Sequence, residues 1–347
     1  MSFAPHSLEA LRGAGFDAVI DVRSPSEYAE DRVPGAINLP VLDDAERARI
    51  GTVYVRQSAF LARKMGAALV ARNAAAHIEG PLAGHGGGWR PLVYCWRGGQ
   101  RSNSFASILS QIGWRVSVLE GGYRGYRALV KEALYDRVFA PRTVLLDGFT
   151  GTAKTAILRR AGEMGAQVID LEGLANHRGS LFGGQGGQPA QKAFESALAQ
   201  AIGTLDPTRP VLIEAESSKV GDRVVPPSLW RAMQTAPRIV IEAPLAARAA
   251  YSLRDYADIA VDPARLDATL DALVPLQGRE RVAAWRALAA SGQLGDLAAA
   301  LMTHHYDPRY ARQSGRETRR VAARLRAERL DPAEIDALAA EVVAHLG

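Results

Sequence analysis

The stretch Pro91-Leu92-Val93-Tyr94-Cys95-Trp96-Arg97-Gly98-Gly99-Gln100-Arg101-Ser102 constrains the fold more than any other. An apolar run enters it as a buried strand would, and a helical pattern (Phe105, Ile108, Leu109, Ile112) leaves it. A loop between a strand end and a helix start belongs to a parallel α/β domain. Cys95 is the single cysteine of 347 residues. On this loop, backbone amides and the positive helix end would lower its pKa and attract an anion. Gly98 and Gly99 let successive N–H groups turn inward, with Arg97 beside them and Ser102 at the helix start. Arg101, six residues after the cysteine, closes the ring with a fork of donors. Five intervening residues make a cradle of about phosphate size, so sulfur transfer and phosphate hydrolysis both fit. The plain alternative is a buried structural thiol.

Strand-like and helix-like runs alternate on both sides. Phe16–Val22 reads as a buried strand, with Ser24 or Ser26 as N-cap of a short helix, and Val33–Pro40 as a turn and strand. Residues 43–78 read as helical, Gly80–Gly88 as a loop, Trp114–Leu119 as a strand and 127–137 as a helix. The pattern then restarts with strands at Thr143–Asp147, Gln167–Asp170, Pro210–Glu216 and Arg238–Glu242. From Leu245 onward the residues read as helices, rich in Ala, Leu and Arg. The expected organisation is an α/β domain over 1–137, a second parallel α/β domain over 138–245, and a helical region over 246–347.

The restart carries the second motif, Gly148-x4-Ala153-Lys154-Thr155, between a strand and a helix. It resembles a Walker A phosphate loop, G-x-x-x-x-G-K-[ST], with Ala153 in place of the last glycine. Gly148 and Gly151 would shape the loop, Lys154 would neutralise a diphosphate, and Thr155 would reach a metal or a phosphate oxygen. Ala153 is expected in ordinary helical angles, its methyl crowding the phosphate side, which favours phosphate binding over ATP hydrolysis. Glu214 and Glu216 follow an apolar strand, where a metal-linked acid would lie; no metal is specified. After the second strand, Asp170, Asn176, His177, Arg178 and Ser180 form a polar loop facing a ligand at the carboxyl ends of the strands.

Composition narrows the classes. A net charge of +5 leans mildly toward polyanions. One cysteine excludes an intrachain disulfide framework and a cysteine-rich zinc site. A free activated thiol fits a reducing cytosol, so the expected location is cytoplasmic. No basic-then-apolar leader is visible at the start, and no run of about 18 apolar residues suggests a membrane partner.

Phe16–Arg23, Val33–Pro40, Cys95–Ser102 and Val118–Gly122 together resemble the rhodanese domain over about residues 5–135, whose relatives with a longer loop include C-x5-R phosphatases. Asp21 and Arg23 match that family's Asp-Val-Arg and are expected to brace the loop. Joined to the phosphate loop and to Asp170-Leu-Glu-Gly-Leu-Ala-Asn-His-Arg-Gly-Ser180, these motifs resemble the tRNA 2-selenouridine synthase family over roughly residues 10–310. Ala153 and Ala215, the latter between two acids where another is expected, depart from the pattern. The resemblance implies an N-terminal rhodanese-like domain, a P-loop-like domain and a helical C-terminal region. It implies a transferase acting on tRNA with 2-thiouridine at the wobble position. The base would be geranylated from geranyl diphosphate, and the geranylthio group then replaced by selenium from selenophosphate. These are co-substrates rather than tightly bound cofactors; Mg2+ and a selenophosphate-producing enzyme are the further partners to consider. Cys95 and Arg101 would be catalytic. The competing class is a C-x5-R phosphatase or sulfurtransferase fused to a kinase-like NTPase, and a third is a non-enzymatic, RNA-binding adaptor.

tRNA requires an electropositive surface. Arg312, Arg316, Arg319, Arg320 and Arg324 fall at helical spacing and are expected on one helix face that contacts RNA; a solvated face is the alternative. His304-His305-Tyr306-Asp307-Pro308-Arg309-Tyr310 would stack on bases or form a packing corner.

Overall fold

In the computed structural model of the chain, which describes residues 1–180, 182–184, 186–257, 262–314 and 320–347, parallel sheets form at the apolar runs named above. The chain divides into two units: Met1–Arg137 with Pro189–Thr204, and Val138–Gln188 with Leu205–Gly347.

The first unit contains β1 (Ser2–Phe3), α1 (Leu8–Arg12), β2 (Ala18–Asp21), α2 (Pro25–Glu30) and β3 (Ile37–Asn38). Next come α3 (Asp44–Arg56), α4 (Ala59–Glu79), β4 (Pro91–Tyr94), α5 (Gln100–Gln111), β5 (Ser117–Leu119) and α6 (Gly122–Lys131). The strand order is β1-β5-β4-β2-β3, with every pair parallel. Central β4 is buried along its whole length, as a strand covered on both faces must be. Ile20, Val22, Leu69, Val93, Phe105 and Leu109 build the core around it. The helical stretch expected over 43–78 is two helices. The Ser58 hydroxyl accepts from the Leu61 amide (3.3 Å) and caps a new helix two residues after the first ends. The helix expected over 127–137 starts earlier, at Gly122, because left-handed Gly121 and Gly122 (φ +70° and +55°) turn the chain directly out of β5; a π-helical stretch, Glu132–Asp136, ends it.

The second unit opens with β6 (Thr143–Gly148), α7 (Lys154–Glu163), β7 (Gln167–Ile169) and α8 (Leu171–Ala175). Helix α9 (Gln191–Ile202) comes next in the chain but groups with the first unit, whereas the sequence reading put it in 138–245. Its buried face carries Glu195 and Ser196, which need polar partners. Arg127 pairs with Glu195, and the Ser196 hydroxyl donates to Asp31 (3.0 Å).

The second unit resumes with β8 (Val211–Glu214), β9 (Lys219–Val220), β10 (Arg223–Val224), α10 (Pro227–Thr235), β11 (Arg238–Glu242) and α11 (Leu245–Asp255). Then follow α12 (Pro263–Asp271), α13 (Val274–Gln277), α14 (Arg279–Ala290), α15 (Leu294–Leu301), a π-helical stretch (Met302–Tyr306), α16 (Asp307–Ser314), β12 (Val321–Arg326) and α17 (Pro332–Ala344). The large sheet runs β12-β11-β6-β8-β7, all parallel.

Strand β12 corrects the expectation of helices alone after Leu245. It also corrects the single arginine face. Arg312 lies in α16, Arg320 precedes β12, and Arg324 lies on β12, where it pairs with Glu242; Arg316 and Arg319 lie outside the described residues. An edge strand needs few buried side chains. Here Leu325 is the buried one, so the run Val-Ala-Ala-Arg-Leu-Arg shows little strand character in sequence.

Candidate functional site

Cys95 leaves the C-terminal end of β4 and is 3% exposed. Its sulfur lies 3.2 Å from the Ser102 hydroxyl, at the start of α5. Burial by itself raises the thiol pKa. Hydrogen bonds from the Ser102 hydroxyl and from the Ser102 and Arg97 amides, with the Arg101 charge, outweigh it, so the net shift is downward. The loop is held by backbone: the Tyr123 amide donates to the Cys95 carbonyl (2.8 Å) and the Arg124 amide to the Trp96 carbonyl (3.0 Å). That approach requires glycine at 122, where a Cβ would stand 2.3 Å from the Cys95 oxygen.

Beneath the loop lies a buried polar brace. Arg23 pairs with Asp21 (2.6 Å) and lies 4.0 Å from the Tyr123 ring centre, and the Tyr94 hydroxyl donates to Asp21 (2.8 Å). Asp21 and Arg23 therefore take the bracing role expected of them.

The other predicted residues of this loop separate. Gly98 is left-handed (φ +67°) and a Cβ there would meet the Leu119 carbonyl at 2.8 Å. Gly99 is the N-cap of α5, and Arg97 is exposed. Arg101 donates to Glu27 (2.8 Å), which Arg47 also approaches (3.0 Å). Glu27, which the sequence reading did not single out, thus sets the position of the arginine. Its carboxyl is held below the usual range despite burial, by Arg101 first and Arg47 next.

In the second unit, β6 runs into the loop 148–155. Lys154 Nζ donates to the Gly148 and Phe149 carbonyls (2.9 and 3.3 Å). Gly148 and Gly151 both take positive φ, and a Cβ on Gly151 would meet Met302, Ser252 and Arg248 at 2.7–2.9 Å. Ala153 does not take ordinary helical angles: it is left-handed (φ +59°, ψ +25°), holding the conformation that the usual glycine would. Its methyl is buried in the core with Ile157 and Ile241.

The Thr155 hydroxyl donates to Glu172 (2.7 Å). The Glu172 carboxyl is pushed up to about 7, by burial first and then by the charge of Glu216. Burial raises Glu216 as well, and raises Glu214 further with help from Glu172. Both Glu214 carboxyl oxygens are buried without a hydrogen-bond partner.

Lys154, Thr155, Glu172, Arg178, Ser180 and Glu216 line one cleft of about 130 Å³. The rest of the polar run is structural. Asp170 caps α8 through the Gly173 amide (2.6 Å) and pairs with Arg159. Asn176 ends α8 in left-handed conformation. The His177 ring accepts from the Gly179 amide (3.1 Å), and burial lowers its pKa. Arg178 lies 4.9 Å over the Tyr256 ring, and the Ser180 hydroxyl is 2.9 Å from the Tyr256 hydroxyl. In the 304–310 segment His305 is buried and Tyr310 packs on Phe149, 4.7 Å between ring centres; both fill a packing corner.

Sequence reasoning missed Glu172, although it lay inside the quoted run, and missed Tyr251, Tyr256 and Tyr306 on the same cleft, which no motif marks. Beside the cleft, and sharing Thr150, Ser180, Ser252, Tyr256 and Tyr306 with it, lies an apolar cavity of about 90 Å³. Phe182, Leu253, Leu266, Leu294, Leu297, Ala298, Leu301 and Met302 complete its wall. Among the described residues no three His, Cys, Asp or Glu side chains converge on a point that would hold a metal ion.

A thiol loop on one parallel sheet and a glycine-containing loop at Lys154 on another define the class: a rhodanese-like domain, matched over residues 4–129, joined to an AAA domain. The second match, over residues 141–269, is to the tRNA 2-selenouridine synthase AAA domain. Curated tRNA 2-selenouridine synthases are similar along the chain. The one from Bordetella bronchiseptica is 33% identical over 87% of this chain and 90% of its own length. The one from Hahella chejuensis is 37% identical over 69% of this chain, and there the match spans 63% of the relative. The chain belongs to the tRNA 2-selenouridine synthase family.

Proposed function

We propose that the chain is a cytoplasmic tRNA-modifying transferase. It geranylates 2-thiouridine at the wobble position from geranyl diphosphate and then exchanges the geranylthio group for selenium from selenophosphate. One observation carries the reading: an apolar cavity walled by Leu266, Leu297 and Leu301 adjoins the cleft that holds Lys154. A ligand with a charged diphosphate head and a branched hydrocarbon tail matches that pairing.

In the first step the thiocarbonyl sulfur attacks the allylic carbon. The carbon–oxygen bond breaks, diphosphate leaves beside Lys154, and the base loses its ring N–H proton. Mg2+ typically takes one or two carboxylates plus phosphate oxygens; Glu216 and Thr155, which line the cleft, would hold it there. A bound Mg2+ would neutralise the leaving diphosphate. In the second step the selenium of selenophosphate attacks C2 of the base. The carbon–sulfur bond breaks and geranylthiolate leaves, taking a proton from the lowered thiol of Cys95. Water then cleaves the phosphorus–selenium bond and releases phosphate. The loop amides around Cys95 suit the selenophosphate anion.

The competing phosphatase reading needs Arg101 aimed at an anion over Cys95. Its guanidinium is instead held by Glu27 at 2.8 Å. The test is incubation of 2-thiouridine tRNA with geranyl diphosphate and then selenophosphate, followed by nucleoside mass spectrometry. Geranylated and then selenated uridine is expected. ATP hydrolysis dependent on Lys154, with no transfer to tRNA, overturns the proposal.

A further inference from the structure

Helices α3 and α4 form a hairpin whose base supports the thiol loop, through Arg47 on Glu27 and Leu69 in the core, and whose outer face and tip have no such role. The hairpin carries five arginines and one lysine against three acids, Asp44, Glu46 and Glu79, all three at its base, so no acid lies between Arg47 and Ile78. All six cations are exposed. Arg47 is bound to Glu27, while Arg49, Arg56, Lys64 and Arg72 make no ion pair among the described residues.

The tip is also apolar. Tyr54 (59% exposed), Val55 (82%) and Phe60 (71%) flank the two-residue turn at Gln57-Ser58. Large side chains clustered in water mark an interaction site. A cavity of about 320 Å³ runs from this hairpin, at Ile50, Tyr54 and Arg63, to Gln100 and Arg101 of the thiol loop.

We propose that the α3–α4 hairpin is the surface on which the single-stranded anticodon loop of the tRNA docks, its phosphates on Arg49, Arg56 and Lys64 and unstacked bases on Tyr54 and Phe60. The inference rests on the tRNA reading above. Charge decides the occupant. A second copy of this chain would bring the same cations against these, whereas a polyanion neutralises them. Aromatic rings beside cations are the usual platform for single-stranded RNA. The cavity continues toward Arg101, so a base lifted from the loop has a route toward the thiol. At the C-terminal strand and just beyond it, Arg324 and Arg326 pair with Glu242 and Arg329 with Asp331, whereas among the described residues Arg49, Arg56 and Lys64 of the hairpin are not paired with acids.

The test is fluorescence anisotropy of the full chain with a 2-thiouridine tRNA. Tyr54→Ala with Phe60→Ala is expected to weaken binding by about tenfold or more. Arg49→Ala, Arg56→Ala and Lys64→Ala together are expected to lower the slope of log affinity against log salt by about 2, at roughly 0.7 per single-strand phosphate contact. Thermal melting should be unchanged, since these side chains are exposed. Binding and slope unaltered in both variants overturn the inference and leave the tRNA reading standing. So does loss of self-association in the aromatic variant with tRNA binding intact, which would assign the tip to a second copy. No tRNA binding by the unaltered chain overturns the function proposed above and this inference with it.

Discussion

The Thr155 hydroxyl donates to the Glu172 carboxylate at 2.7 Å, fastening the helix start that carries Lys154 to the next helix along the chain. The loop at Lys154 therefore has a titratable group as its anchor.

That anchor predicts a pH-dependent stability. The Glu172 carboxyl is raised from 4.5 to about 7, so between these values the folded chain holds a proton that the unfolded chain has released. This contribution is full below about pH 4.5 and is lost as pH rises to about 7. At ~1.4 kcal/mol per unit it is on the order of 3 kcal/mol. Urea titration of Glu172→Gln should show a flatter stability curve than the unaltered chain across this window. Parallel curves would remove Glu172 from the account.

Ser102 should govern the thiol. Ser102→Ala removes the largest of the contributions that lower the Cys95 pKa, so the midpoint of alkylation by iodoacetamide should move up in pH. An unmoved midpoint would assign the lowering to the loop amides and Arg101 alone.

The two loops should fail separately. Lys154→Ala is expected to lose the geranylated nucleoside by at least a hundredfold. Cys95→Ala should keep geranylation and lose selenium incorporation. Full selenouridine from Cys95→Ala would end the assignment of the thiol to the second step.

Ala153→Gly offers a test of strain. A left-handed alanine costs about 1–2 kcal/mol, and its buried methyl returns about 0.8 kcal/mol. The substitution should therefore be neutral to stabilising by up to about 1 kcal/mol, raising Tm slightly. A clear loss of stability would mean that methyl packing outweighs backbone strain here.

Filling the apolar cavity should act on the tail of the donor. Ala298→Phe is expected to raise KM for geranyl diphosphate several-fold, with a smaller effect on inorganic diphosphate inhibition. Equal effects on both would place the tail elsewhere.

The fold and the two loops were legible because each depends on local sequence. An apolar strand entering glycines and leaving as a helix declares itself, and the residues of both loops lie where that grammar places them. Three things were not. Ala153 gave no sign of left-handed geometry, because the surrounding core imposes that angle against the residue's own preference. Strand β12 lies at an edge with Leu325 as its buried residue, so its arginines imitate a helix face. The aromatic walls of the cleft, Tyr251, Tyr256 and Tyr306, come from helices distant in the chain, and no spacing encodes such convergence.

Helix α9 carries a practical consequence. Its neighbours in sequence belong to the second unit, yet Glu195 and Ser196 satisfy Arg127 and Asp31 of the first. No single cut in the polypeptide can yield both units intact. A fragment ending near Arg137 would leave Asp31 without one of its hydrogen-bond donors and strip a helix from its surface, while the remainder would present that helix to solvent with a buried-type glutamate uncovered. The interlaced path makes the two chemistries inseparable by truncation, and a gene that split them would first have to relocate twelve residues, Gln191 to Ile202.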